Sequence, residues 1–170
     1  MEIRKIYFDM DGVLADFDRG VREILGLKPV RQEDQTDEET DLLFNEMKEA
    51  DHFYYRLKAV KGSLELFNEI FRQFGRDRVE ILTGVPNPKR EIVQAEADKI
   101  RWVRDYLPEG VVVNTPLRKN KIKYCHGPED ILIDDFTRNI KDWKKAGGTA
   151  ILFQSADQVR EDIRKLTGQN

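Results

Sequence analysis

The sequence predicts an α/β protein. The expected architecture is a Rossmann-like, parallel five-stranded sheet with helices on both faces and a small helical cap inserted after strand 1. Three observations predict it. Five short apolar runs are spaced along the chain, amphipathic helical patterns separate them, and one interval is far too long for a single crossover.

The five runs are Ile3–Phe8, Val79–Thr83, Val111–Asn114, Ile131–Ile133 and Thr149–Phe153. They are nearly continuous in β-branched and aromatic residues and do not alternate, which is how strands covered on both faces read. Leu64, Phe67, Ile70, Phe71 and Phe74 recur at helical spacing. So do Ile92, Ala95, Trp102, Val103 and Tyr106 within Pro88–Leu107. A helix over Arg138–Ala146 stops at Gly147-Gly148, and the last helix opens on the capping-box pattern Ser155-x-x-Gln158. Strands alternating with helices imply parallel pairing through right-handed crossovers.

The long interval lies between the first run and Val79. Asp18–Leu27 and Asp41–Ala50 read as helices, and Arg31–Asp41 (RQEDQTDEETD) reads as a solvated acidic connector. The expected division is a core of residues 1–16 and 61–170 with a cap of 17–60.

Composition narrows the function. The chain has 170 residues, 36% charged and 39% hydrophobic, with a formal net charge of -3. No global positive field draws it to nucleic acid, and no apolar run reaches the ~18 residues of a membrane helix. Cys125 is the single cysteine, so an internal disulfide is excluded. With no signal-peptide pattern at MEIRKIYFDM, a cytoplasmic location is expected. The oligomeric state is left open.

In open α/β sheets, ligands bind beyond the carboxyl ends of the strands. Asp9 and Asp11 follow the first strand, Thr83 and Gly84 close the second, a basic PLRKNKIK follows the third, and Asp134 and Asp135 close the fourth. Four clustered acids require a cation, and an all-oxygen set suits Mg²⁺. The hydroxyl, the backbone N–H groups and a lysine suit a phosphate.

These residues carry a resemblance. DMDGVLAD is similar to the first motif of the haloacid-dehalogenase-like (HAD) phosphohydrolases, ILTG at Ile81–Gly84 to their second, and ILIDD at Ile131–Asp135 to their acidic fourth. DMDGVLADF, FYYRLKAVKG, KIRWVRDYL and LIDD resemble the 5'(3')-deoxyribonucleotidase-like branch over roughly residues 3–153. The resemblance implies a HAD-like core and Mg²⁺-dependent hydrolysis of a phosphomonoester through an aspartyl-phosphate. It makes Asp9 the nucleophile and Asp11 the general acid and base. Thr83, Gly84 and Lys121 would bind phosphate. Asp9, Asp11, Asp135 and, indirectly, Asp134 would hold the metal. Lys121 is chosen for the third motif by its spacing from ILIDD, with Lys119 and Lys123 as alternatives. The branch usually carries Ser after its Thr, where this chain has Gly84.

The expected substrate is a nucleoside monophosphate held between cap and rim, with Phe17 and Phe44 as candidate base-stacking residues. A sugar phosphate or a non-catalytic phosphate-binding module are the other readings. His52, His126, Cys125, Trp102 and Trp143 read as structural.

Overall fold

The computed structural model describes residues 1–169. Strands β1 (Lys5–Phe8), β2 (Val79–Leu82), β3 (Val112–Asn114), β4 (Asp130–Asp134) and β5 (Thr149–Leu152) form one sheet in the order β3-β2-β1-β4-β5. Every pairing is parallel. Phe8 lies opposite Ile81 on one side and Ile133 on the other, so the three central strands end level. The loops leaving these strands therefore share one edge. The chain order reverses at β1, and the crevice between β1 and β4 is the topological switch point.

Pleating sorts the apolar runs onto two faces. Ile6, Phe8, Val79, Ile81, Ile131 and Ile133 join the main core. There they meet α3 (Ser63–Phe74), α4 (Ala95–Tyr106) and α6 (Ala156–Thr167). Tyr7, Leu82 and Leu132 turn the other way, against Trp143 of α5 (Thr137–Lys145). Helices thus cover both faces, as the continuous apolar runs require.

Between β1 and α3 the chain forms α1 (Phe17–Glu23), a 3₁₀ turn at Gln32–Asp34 and α2 (Asp37–Glu49). The acidic stretch expected as a connector is partly helical. Thr36 and Glu39 form a capping box, and Asp37, Glu38 and Glu39 occupy the first turn. Their charges face the positive end of the helix dipole, which favours them there. Helix α1 stops at Glu23, short of the expected Leu27, and Gly26 is left-handed at φ 66°. The helix expected from Pro88 is also broken. A 3₁₀ turn at Pro88–Arg90 ends on Glu91, itself left-handed at φ 56°, before α4 begins.

The segment between β1 and α3 packs into the main core through Val21, Met47, Phe53, Tyr54 and Leu57. Trp102 of α4, fully buried, donates its indole N–H to the Leu57 carbonyl at 2.9 Å. Trp102→Phe removes that donor and leaves a buried carbonyl unpaired. The expected loss is about 1–3 kcal/mol of stability, read from the urea midpoint. No change in midpoint would mean that water or a rearrangement replaces the bond.

Candidate active site

The turn after β1 is built by main-chain hydrogen bonds. Val13, Leu14 and Ala15 all donate N–H to the Met10 carbonyl, and Gly12 donates to Ala15. Gly12 sits at φ 79°, and a β-carbon there would lie 1.9 Å from Asp135 Oδ2. No side chain fits. The glycine lets the first motif's backbone run directly against the fourth motif's carboxylate.

Asp9 is anchored by its own N–H, which donates to Ile133 O at 2.9 Å. Its carboxylate accepts from Lys121 Nζ at 2.9 Å, and the same ammonium reaches Asp134 at 2.9 Å. Lys121 is buried on the 3₁₀ segment Arg118–Tyr124, while Lys119 and Lys123 are exposed. Asp134 is fully buried and is used up by the protein. It accepts from the Phe136 N–H, from Asn139 Nδ2 and from Lys121. Asp135, next in sequence, stays exposed on the rim.

The other side of the crevice is organised by a residue that opens the KIRWVRDYL stretch but is assigned no role from the sequence. Lys99 of α4 is completely buried. Its ammonium donates to Asp11 Oδ2 at 2.8 Å, Thr83 Oγ1 at 2.8 Å and the Gly84 carbonyl at 3.0 Å. The Tyr54 ring lies 4.5 Å from it. The other oxygen of Asp11, Oδ1, is buried without a partner. Lys99 was legible in principle. It falls on the buried stripe of α4, between Ala95 and Trp102–Val103, where a cation needs a reason. Asn139 carried no such signal.

The electrostatics follow from burial. Asp9 is raised to about 7, first by loss of solvent and then by the charge of Asp134, with Lys121 opposing. Asp135 keeps solvent access as a residue, but its carboxyl lies against the Gly12 turn, and loss of solvent there, followed by the charges of Asp9, Asp134 and Asp11, raises it to about 8. Burial works against the Lys121 ammonium, yet Asp9 and Asp134 outweigh it and hold its pKa above the ordinary value. Oxygens of Asp9, Asp134 and Asp135 lie within 4.8 Å of one another. The donor set is all carboxylate and short of positive charge, which fits a hard divalent cation.

The other expected residues make contacts of their own. Phe17 packs edge-on against Phe53 at 5.6 Å and is tilted over Tyr54 at 6.5 Å. Phe44 of α2 has the Arg90 guanidinium 4.7 Å from its ring centre. Gly84 is not forced by sterics, since a β-carbon there would meet only ordinary contacts at 3.5 Å. His52 bonds Asp98 at 2.8 Å, away from the carboxylate cluster. A groove of about 460 Å³, lined by Arg19, Arg56, Lys58 and Tyr106 among others, includes none of the rim groups.

The site thus joins a parallel sheet with aspartates at its switch point, a lysine buried between Asp9 and Asp134, and a threonine at the end of the neighbouring strand. Similar solved structures agree in fold. A HAD family hydrolase from Deinococcus radiodurans R1, with bound phosphate and sodium, is 13% identical at a TM-score of 0.59, over 97% of this chain and 96% of that one. A HAD-superfamily hydrolase from Ehrlichia chaffeensis is 18% identical at 0.54, over 98% and 99%. The HAD-hydrolase YfnB from Bacillus subtilis, bound to magnesium, is 12% identical at 0.50, over 88% and 86%. No curated protein matches in sequence. The family model for 5' nucleotidase, deoxy (pyrimidine), cytosolic type C protein matches residues 2–165. The chain belongs to this family, and it is a phosphatase of the 5'-nucleotidase type. Among the described residues, no helix is long and apolar enough to cross a membrane.

The raised carboxyls make a prediction for the metal-free protein. A carboxyl with a higher pKa folded than unfolded holds its proton more tightly in the folded state. Stability is then greatest at low pH and is lost as pH rises from ~4, the unfolded value, through the folded one. The melting temperature in EDTA should therefore fall as pH climbs through about 7 and about 8. His52, raised chiefly by its bond to Asp98, has the same sign. Asp135→Asn should remove the part of the fall near pH 8 and leave the part that Asp9 causes near pH 7. A mutant profile parallel to wild type would remove Asp135 as the cause.

Proposed function

We propose that the chain is a Mg²⁺-dependent phosphomonoesterase that works through an aspartyl-phosphate on Asp9, with (deoxy)nucleoside monophosphates as substrates. The observation that carries this reading is the placement of Asp9. Its carboxylate is fixed by Lys121 on one side, and Asp11 and Thr83 are held together by Lys99 across the crevice. Family membership supports the nucleotide, and the neighbour's bound magnesium supports the metal.

Residues 17–60 would serve as the cap, the rest as the core. The metal would be held by Asp9, Asp135 and the Asp11 carbonyl, with Asp134 behind them. When bound, Mg²⁺ would neutralise the carboxylates and draw charge from phosphoryl oxygens. The other steps belong to the chain. Thr83, the Gly84 N–H and Lys121 would take up the phosphoryl oxygens and present phosphorus to Asp9. The free oxygen of Asp9 attacks, and the bond to the ester oxygen breaks. Asp11 gives its proton to the leaving alkoxide. Water then loses a proton to Asp11 and attacks the aspartyl-phosphate, which releases phosphate and restores both carboxyls. Covering aromatic residues would keep bulk water from the intermediate. Phe17 and Phe44 remain the proposed base contacts, and a cytoplasmic enzyme is the expected setting.

The test is phosphate release with Mg²⁺ from deoxy- and ribonucleotides, sugar phosphates and p-nitrophenyl phosphate. Nucleotides should turn over well above the aryl ester, and Asp9→Asn should lower kcat by at least about a thousandfold. Sugar phosphates in front would move the substrate while leaving the Asp9 chemistry. Full activity in Asp9→Asn would remove the intermediate.

The base contacts are tested separately. Phe17→Ala and Phe44→Ala should each raise KM for a nucleotide several-fold and leave KM for p-nitrophenyl phosphate unchanged, since base stacking is worth ~1–3 kcal/mol. Unchanged nucleotide KM would reject stacking at that residue.

A further inference from the structure

Lys99 has no part in the chemistry so far assigned, and its burial demands one. An ammonium taken wholly out of water costs several kcal/mol after relaxation. Lysine is almost never fully buried on the inner stripe of a helix unless it is paired. This one directs its three N–H donors to three acceptors: Asp11 Oδ2, Thr83 Oγ1 and Gly84 O. The ring of Tyr54, from the segment between β1 and α3, covers it. All three acceptors belong to residues at the ends of β1 and β2, where the phosphoryl group would lie.

We propose that Lys99 is a positioning residue for phosphoryl transfer, setting the direction of the Asp11 carboxyl and of the Thr83 hydroxyl. The inference rests on the phosphatase reading above. For Asp11 the reasoning is geometric. One oxygen is tied to Lys99, and the other, Oδ1, is buried and unpartnered. The tie prevents the carboxyl from swinging towards Asp9 and Asp135, and leaves Oδ1 free to hold the proton for the leaving oxygen. For Thr83 the reasoning is about donor and acceptor sense. A hydroxyl that already accepts from an ammonium directs its own proton elsewhere. Here its proton is left to donate to a phosphoryl oxygen, and polarisation by the ammonium strengthens that donation. Lys99 reaches the substrate only through these two side chains, because its own donors are used.

The test uses Lys99→Met, which keeps the length and removes the donors, and Lys99→Gln, which keeps two N–H donors. Two substrates separate positioning of an acid from general damage. An alkyl ester needs its leaving oxygen protonated, whereas p-nitrophenolate leaves without a proton. The quantity compared is kcat/KM, which reports steps up to formation of the aspartyl-phosphate. Lys99→Met should lower it about a hundredfold for a nucleoside 5'-monophosphate and less than about tenfold for p-nitrophenyl phosphate. Lys99→Gln should recover part of the loss. Equal losses on both esters would overturn the Asp11 half.

The Thr83 half is read by calorimetric binding of inorganic phosphate, which needs no turnover. Lys99→Met should weaken binding about tenfold in the wild-type background and less than about twofold in Thr83→Val. An undiminished loss in Thr83→Val would mean that Lys99 acts as a bare charge, and would overturn it. If the wild type hydrolyses neither ester, the phosphatase reading fails, and the phosphate cycle alone decides whether Lys99 orients Thr83. Should Lys99→Met fail to fold, Lys99→Gln carries both comparisons.

Discussion

The structure depends on holding four carboxylates together at the end of a buried sheet. Asp9, Asp11, Asp134 and Asp135 lie on two adjacent strand ends, and burial strengthens their repulsion. Two buried ammoniums enter from opposite directions. Lys121 sits between Asp9 and Asp134, and Lys99 reaches Asp11 from α4. At 2.9 Å one ion pair is worth roughly 6 kcal/mol at an effective dielectric of 20. Stripping an ammonium of water costs several kcal/mol, so one pairing leaves little margin and two leave a clear one. Lys121 has two carboxylates and is held above its ordinary pKa. Lys99 has one, supplemented by a hydroxyl, a carbonyl and an aromatic face.

With all four acids ionised, two lysines leave two negative charges uncompensated. That is the charge of one divalent cation. In the proposed reaction, the same charge balance would make the site receptive to a phosphate dianion once a cation is bound. Asp134 shows how narrowly the groups are divided. Its hydrogen bonds to Phe136, Asn139 and Lys121 occupy it with the scaffold, whereas Asp135, one residue on, faces the rim. Asp134 ends β4 and Asp135 is the first residue beyond it, so a doubled aspartate turns one carboxylate into the protein and leaves the other at the rim. Gly12 completes the division by letting the first loop press against Asp135.

The sheet was legible because its strands are covered twice and read as uninterrupted apolar runs; all five are present. Element ends were less legible, since they turn on local backbone conformations. Glu91 adopts a left-handed conformation that composition does not announce, and the α2 cap lay inside a run that charge alone marks as loop. The rim carboxylates and Thr83 could be named from strand ends, because a parallel sheet delivers strand ends to one edge. Lys121 could be ranked above its neighbours by spacing, and burial distinguishes it from Lys119 and Lys123. Lys99 opens KIRWVRDYL but was given no role, because helical reading looks for apolar residues on the inner stripe and passes over the exception. Asn139 was missed because its partner, Asp134, becomes visible only when α5 folds back over β4.

The insertion after β1 joins this electrostatic scheme to the rest of the chain. It contributes Phe53, Tyr54 and Leu57 to the main core, so it is not an appendage resting on the rim. Farther out its contacts change character. Arg90 pairs with Asp41 and lies over Phe44, and Lys48 pairs with Glu91, all with solvent access. Exposed pairs of this kind are individually weak, about 0–1 kcal/mol. The firmly packed inner part sets Tyr54 against Lys99, and the Lys99 contacts to Asp11, Thr83 and Gly84 do not pass through the weakly tied outer part. In the proposed reaction, the inner part would keep Asp11 and Thr83 in place while the outer part yields to admit a substrate past α2.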